Sequence, residues 1–205
     1  MTSALQSLWR TARKLGRHGG GRKTPPPLLF FTDPRRTPEP ARVVERMPRG
    51  SAVVFRAFGA PDAVARGRVL LRVARRRGVR FLVGADAALA VALGADGMHL
   101  PERLAHRRGV VAALRARFLV TGAAHSQAAI RRACLAGVDA VVVSPVFASM
   151  SSSAGKPLGV RRFAVWVRAA GVPVYALGGI DARLARRLTS SGAAGLAVVS
   201  ALTVD

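Results

Sequence analysis

The chain has a single cysteine, Cys134. No intramolecular disulfide can form, which suits a reducing compartment, and a cytoplasmic location is expected. No apolar run reaches about 18 residues, so no transmembrane helix is predicted. The N-terminal segment lacks the continuous apolar core of a secretory signal. No GxGxxG follows the first predicted strand, which argues against a dinucleotide fold. Zinc-finger spacing and basic–aromatic interleaving are also missing, so specific nucleic-acid recognition is not expected. Acidic residues are scarce: 10 Asp plus Glu stand against 33 Lys plus Arg, a formal charge of +23. A field of that sign draws in anions and phosphorylated ligands. Most of the cations are arginines scattered along amphipathic segments, such as Arg72, Arg75, Arg76 and Arg77, and read as a solvated surface.

What is present is an alternation of short apolar runs and amphipathic segments. The length, 205 residues with 50% hydrophobic, favours one domain with a sizeable core. From residue 28 onward, strands are predicted at Leu28–Thr32, Ser51–Phe58, Arg80–Val83, Gly97–Leu100, Phe118–Thr121, Ala140–Val143, Val172–Leu177 and Gly195–Leu202. Helices are predicted at Pro38–Met47, Asp62–Arg77, Ala87–Leu93, Glu102–Arg115, Gln127–Ala136 and Val160–Ala170, with a further one capped by Asp181. Strands that are apolar throughout and separated by helices indicate an all-parallel sheet covered by helices. Eight such units favour a compact α/β (β/α)8 TIM barrel over an open doubly wound sheet. The sequence ends at Asp205, so the eighth helix is missing or truncated.

Residues 1–27 are set apart as a basic N-terminal helix and a Gly/Pro linker, with 28–205 as the barrel domain. Leu5, Leu8, Trp9, Ala12 and Leu15 form an apolar stripe, flanked by Arg10, Arg13, Lys14 and Arg17. Two readings stay open. The helix packs on the barrel, covering part of the gap left by the eighth helix, or it makes a weak contact with an acidic membrane surface.

A barrel carries its site at the C-terminal ends of the strands. The polar residues predicted there include Asp33, Arg56, Asp86, His99, His125, Ser126, Ser144, Ser149 and Ser151. Loops after the last two strands commonly hold a phosphate on backbone N–H groups. Gly178, Gly179, Val199 and Ser200 are the candidates for such a cradle. His125, in GAAHS, is placed to shuttle protons near neutral pH. His99, in MHLPE, reads as structural, and His18 and His106 as surface positions.

The segments ADGMHLPE (95–102), GAAHSQAAIRRACLAGVDAVVVSPVF (122–147) and VPVYALGGI with AAGLAVVSAL (172–202) resemble the thiamine-phosphate synthase/TenI family. The resemblance implies a small (β/α)8 barrel acting on a phosphorylated thiazole, whose phosphate would lie on Gly178, Gly179, Val199 and Ser200. Synthases of the family join hydroxymethylpyrimidine diphosphate to a thiazole phosphate with Mg2+. TenI-like members are metal-free thiazole tautomerases. The synthase pattern is incomplete here. Its Gln-x-Arg-x-Lys reads Val54, Arg56 and Phe58; its Asn-Asp reads Gly84 and Ala85; its Gln-Glu-Asp reads Glu102, Arg103 and Leu104; its Thr-x-Thr-Lys reads Ser149, Met150, Ser151 and Ser152. Mg2+ is held by hard carboxylate oxygens, and both aligned carboxylates are absent.

The resemblance therefore favours a TenI-like tautomerase with His125 as acid/base, no metal and no cofactor. Arg56, Ser126, Ser149 and Ser151 would contact the rest of the substrate. The alternatives are a synthase whose Mg2+ site is rebuilt from Asp86, Glu102 or Lys156, and a non-catalytic barrel that binds a phosphorylated ligand. Whether the chain forms a homo-oligomer stays open.

Overall fold

Strand-forming runs of Leu, Val, Phe and Ala, each ended by a polar or glycine-containing turn, place their backbones side by side in the computed structural model. It describes residues 3–16, 23–149 and 155–202. The strands are β1 (Leu28–Phe31), β2 (Ala52–Phe55), β3 (Arg80–Gly84), β4 (Gly97–Leu100), β5 (Leu119–Ala124), β6 (Ala140–Val143), β7 (Val174–Ala176) and β8 (Gly195–Val198). They pair in parallel and in sequence order, and β1 pairs with β8 to close the barrel. The expected (β/α)8 architecture is therefore present.

The helices are α1 (Ser3–Leu15), α2 (Pro40–Arg46), α3 (Ala63–Arg77), α4 (Ala87–Leu93), α5 (Glu102–Ala105), α6 (Arg108–Arg115), α7 (Gln127–Ala136), α8 (Gly159–Arg168) and α9 (Ala182–Arg186). The single helix expected over Glu102–Arg115 is two. His106 Nδ1 donates to the carbonyl of Glu102 at 3.0 Å, one turn back, and the helix breaks there. Strand β2 stops at Phe55, short of the expected Phe58, because Phe58 itself adopts φ 51°. β8 ends at Val198, so Val199 and Ser200 belong to the loop above it.

Alternation along the strands divides the core in two. Leu29, Phe31, Val54, Leu82, Leu119, Val142, Tyr175 and Ala197 pack together inside the ring. Leu28, Phe30, Val53, Phe81, Met98, Leu100, Val120 and Val141 face the helices. The buried Tyr175 hydroxyl donates to the carbonyl of Pro25 at 2.9 Å, and the Leu196 N–H donates to that of Pro27. Lys23 Nζ donates to the carbonyls of Arg115 and Phe118. Residues 23–27 thus lie across the N-terminal end of the barrel.

No helix follows β8 among the described residues. Its place is taken by α1, which packs on β8, β1 and α9. Leu5, Leu8, Ala12 and Leu15 are buried in the same core as the outer faces of the strands. An interfacial helix needs its apolar face for the bilayer. That face is occupied here by the barrel, which overturns the membrane reading of the stripe. Arg10, Arg13 and Lys14 remain exposed. Among the described residues, no helix is long and apolar enough to cross a membrane.

If α1 is the barrel's closing helix, truncating its most buried side chain must loosen the whole fold. Leu8 has 0% exposure. Leu8→Ala is expected to destabilise the protein by about 2–5 kcal/mol, read as a lower denaturation midpoint at unchanged slope in urea. A loss below about 0.5 kcal/mol would mean that α1 does not contribute to the core.

Candidate active site

At the C-terminal ends of the strands lies a cavity of about 910 Å3, a size suited to a small-molecule ligand. One wall comes from the loops after β7 and β8: Gly178, Gly179, Val199 and Ser200 all line it. Gly178 and Gly179 have φ 97° and 61°, a region costly for any residue with a side chain. They also meet the loop after β6 backbone to backbone. The Val146 N–H donates to the Leu177 carbonyl at 2.9 Å, and the Phe147 N–H to the Gly178 carbonyl at 3.1 Å. A Cβ on Gly178 would sit 2.8 Å from Pro145 Cα, and one on Gly179 would overlap the Ala148 carbonyl. The glycines are therefore required by loop packing as well as by access to the cavity. Among the described residues, the N–H groups of Gly178, Gly179 and Val199 donate to no protein acceptor.

His125 also lines the cavity. Its Nδ1 lies 2.9 Å from the Ser144 carbonyl and 3.3 Å from the Ser144 hydroxyl. A carbonyl can only accept, so Nδ1 carries a hydrogen, and in the neutral ring the lone pair is on Nε2. The loop is fixed by Glu102, whose Oε2 accepts the His125 backbone N–H at 2.8 Å and whose Oε1 faces Arg132 at 3.8 Å. Arg56 enters from the end of β2. Its Nε donates to the Thr32 carbonyl at 2.7 Å, and its Nη2 lies 3.4 Å from Asp33 Oδ2. Its guanidinium sits 5.7 Å from the Phe31 ring and 5.1 Å from the Phe58 ring. Burial holds the Arg56 pKa below its ordinary value, with Asp33 opposing that shift. Asp33 itself is raised by burial. Hydrogen bonds from the Arg36 side chain and from the Arg36 and Arg35 backbones outweigh that and leave it lowered.

The other expected residues divide clearly. Ser149 lines the cavity. Ser126 does not: its hydroxyl accepts the Ala129 N–H at 3.1 Å and caps α7, which corrects its assignment to the substrate. Ser151 lies outside the described residues, as do Ser152, Ser153 and His18. Phe58, which the sequence reading passed over as a lost lysine, stands 65% exposed at the cavity. His99, expected at the rim in a structural role, borders the cavity. Met98 and Leu100 face the helices, so strand alternation turns His99 inward, and it lines the cavity. Alternation in GMHL carried that signal.

Of the residues considered as Mg2+ replacements, Asp86 caps α4, with Oδ1 accepting the Leu89 N–H at 2.9 Å. Glu102 is bound to His125 and Arg132, and Lys156 is exposed and does not line the cavity. Among the described residues, no three His, Cys, Asp or Glu side chains gather as a metal site. The residues present do not fit an Mg2+ ion.

This geometry defines a (β/α)8 barrel protein with its candidate site at the C-terminal rim of the strands. A family model described as thiamine monophosphate synthase (TMP-TENI) matches residues 28–202, and the chain belongs to that family. A relative from Geobacter sulfurreducens is 33% identical over 144 residues, covering 67% of this chain and 65% of its own length. A thiamine-phosphate synthase of Listeria monocytogenes is 30% identical over 128 residues, covering 61% of this chain and 60% of its own. The matches thus span less than two thirds of these relatives. The solved structure of a thiamine phosphate pyrophosphorylase from Pyrococcus furiosus superposes with a TM-score of 0.71 at 23% identity. It covers 92% of this chain and 87% of that one, and supports the fold.

His99, half-buried in the wall of the cavity, gives the protein a pH signature. Burial lowers its pKa from 6.5 to about 3, and the Arg56 and His125 charges add to that. A base whose folded pKa is depressed supports the fold above its unfolded value and costs stability below it. Stability is therefore expected to fall between pH 6.5 and 3. The slope is at most about 1.4 kcal/mol per pH unit, because the ring borders a cavity that water can enter. Urea titrations in that window should show the slope in the parent and a weaker one in His99→Gln. Equal slopes would exclude His99 as its source. Gly179→Ala is expected to cost more than about 1 kcal/mol, through left-handed strain and the overlap with Ala148; an unchanged Tm would contradict the loop packing described.

Proposed function

We propose that this chain acts in thiamine biosynthesis by binding a phosphorylated thiazole, with the phosphate on the Gly178, Gly179 and Val199 amides and beside Ser200. The observation that supports this is one cavity lined both by unpaired backbone N–H groups and by His125, whose Nδ1 is held by the Ser144 carbonyl. Backbone amides held by glycine loops need no reorganisation to receive an anion. The net charge of +23 favours arrival of the phosphorylated ligand.

Of the two family reactions, the names of the curated relatives support condensation to thiamine phosphate over tautomerisation. In that reading Arg36 and Arg56, which line the cavity, are the cations available to a leaving pyrophosphate. A specific observation favours the second reading, thiazole tautomerisation. His125 lines the cavity with Nδ1 on the Ser144 carbonyl, which leaves Nε2 as the ring nitrogen for proton transfer, and a 1,3-proton shift needs one group that both takes and returns a proton. Arg56 and Ser149, which line the cavity, would then contact a substrate carboxylate. Both readings place the thiazole phosphate on the same wall.

Calorimetric titration with thiazole carboxylate phosphate, with and without Mg2+, and then with hydroxymethylpyrimidine diphosphate added, separates them. Condensation to thiamine phosphate establishes the synthase. Conversion of the thiazole alone to its aromatic tautomer, reduced at least about 100-fold in His125→Asn, establishes the tautomerase. Binding without turnover makes the chain a binding protein, and no binding overturns the proposal.

A further inference from the structure

Of the large apolar side chains that stand exposed among the described residues, Phe58 is the one that lines the cavity. Little burial holds it there, since 65% of it is open. Its backbone is unfavourable as well. A φ of 51° lies in the left-handed region, where a bulky residue is an outlier. The Ala60 N–H donates to the Ala57 carbonyl at 3.0 Å, so residues 57–60 form a tight turn. Both of its central residues, Phe58 and Gly59 at φ 76°, are left-handed. Gly, Asn and Asp fill such positions at least cost. A Cβ on Gly59 would meet nothing within 4 Å, so the turn stands clear of the surrounding chain. The fold gains little from an aromatic ring at this place.

One contact orients the ring. The Arg56 guanidinium lies over it, 5.1 Å from its centroid. Arg56 is itself held by the Thr32 carbonyl and by Asp33. A cation on one face draws the π density of the ring toward that face. The other face is left apolar, weakened for a second cation and without a donor for a phosphate oxygen. It suits a flat, neutral ring in offset stacking. We propose that Phe58 is a specificity-determining platform, on which the neutral planar ring of a heteroaromatic ligand stacks, and that it adds nothing for a ligand that is phosphate alone. The synthase pattern has a lysine at this position, so the ring belongs to this chain and not to that pattern. Backbone strain kept at a rim, with no burial to offset it, marks a residue displayed for binding. The inference rests on the cavity being the ligand site, and it is independent of which family reaction follows.

The test is NMR of the full chain with 13C-labelled phenylalanine, the Phe58 ring signals being assigned by their loss in Phe58→Leu. The ring-bearing probes are thiazole carboxylate phosphate, hydroxymethylpyrimidine diphosphate and unphosphorylated hydroxymethylpyrimidine; inorganic pyrophosphate is the control. A bound ring-bearing probe should move the Phe58 ring protons upfield, and pyrophosphate should not. Phe58→Leu keeps the apolar bulk but should weaken the ring-bearing probes about threefold to tenfold, with pyrophosphate unaffected. Phe58→Tyr should restore them. Phe58→Gly should melt above Phe58→Ala, because both lose the ring and only glycine accepts the left-handed backbone freely. Phe58 signals unmoved with a ring-bearing probe bound, equal losses for ring-bearing probes and pyrophosphate in Phe58→Leu, or a Phe58→Gly melt at or below that of Phe58→Ala would each overturn the proposal. So would a dimer in sedimentation that Phe58→Leu dissociates, since a second copy would then cover the ring. If thiazole carboxylate phosphate and pyrophosphate both fail to bind, the phosphate wall is refuted. An upfield shift with hydroxymethylpyrimidine would still support the platform, and no shift with any ring-bearing probe would overturn it.

Discussion

Closing parallel strands into a ring leaves every strand with an outer apolar face that water must not reach. The rest of this structure follows from that requirement. Seven inter-strand connections supply helices for most of the ring, and the seam between β8 and β1 has none from the C-terminal side among the described residues. α1 fills the seam with Leu5, Leu8, Ala12 and Leu15. Residues 23–27 then cross the base, bound through Tyr175, Arg80 and Leu196. The basic N-terminal helix is thus consumed by closure, and its charged face is what remains for solvent.

With the base closed, the open rim carries the polar residues, and pairing decides what each can do. Asp86 spends an oxygen on a helix cap, Glu102 holds the His125 loop, and Asp33 is held by Arg36 and Arg56. The carboxylates nearest the cavity are therefore structural. The groups left facing the cavity are backbone amides, arginines and two imidazoles. Such a set is suited to anions, and it offers no hard-oxygen cage for a divalent ion among the described residues.

Much of the fold was legible. The α4, α7, β4 and β6 limits were readable to the residue, because a capping Asp or Ser, a terminal Gly or an apolar run marks each one. The break between α5 and α6 was not, since it depends on one imidazole reaching back to a carbonyl. Gly178 and Gly179 were legible as a tight turn at the rim of the barrel, whereas their packing against Pro145 and Ala148 was not. Ser126 shows the opposite failure. A serine beside a histidine suggests a ligand contact, but its place one residue before a helix makes it a cap.

The sequence by itself determined the parallel barrel and its family, because these rest on local periodicity and on residues adjacent in the chain. Only the tertiary structure decided what the N-terminal stripe covers and which carboxylates are already engaged. Each of those depends on a partner distant in sequence: β8 for α1, and the His125 amide for Glu102. A hydrogen bond's direction is set by both of its ends, and the second end appears only once the chain has folded.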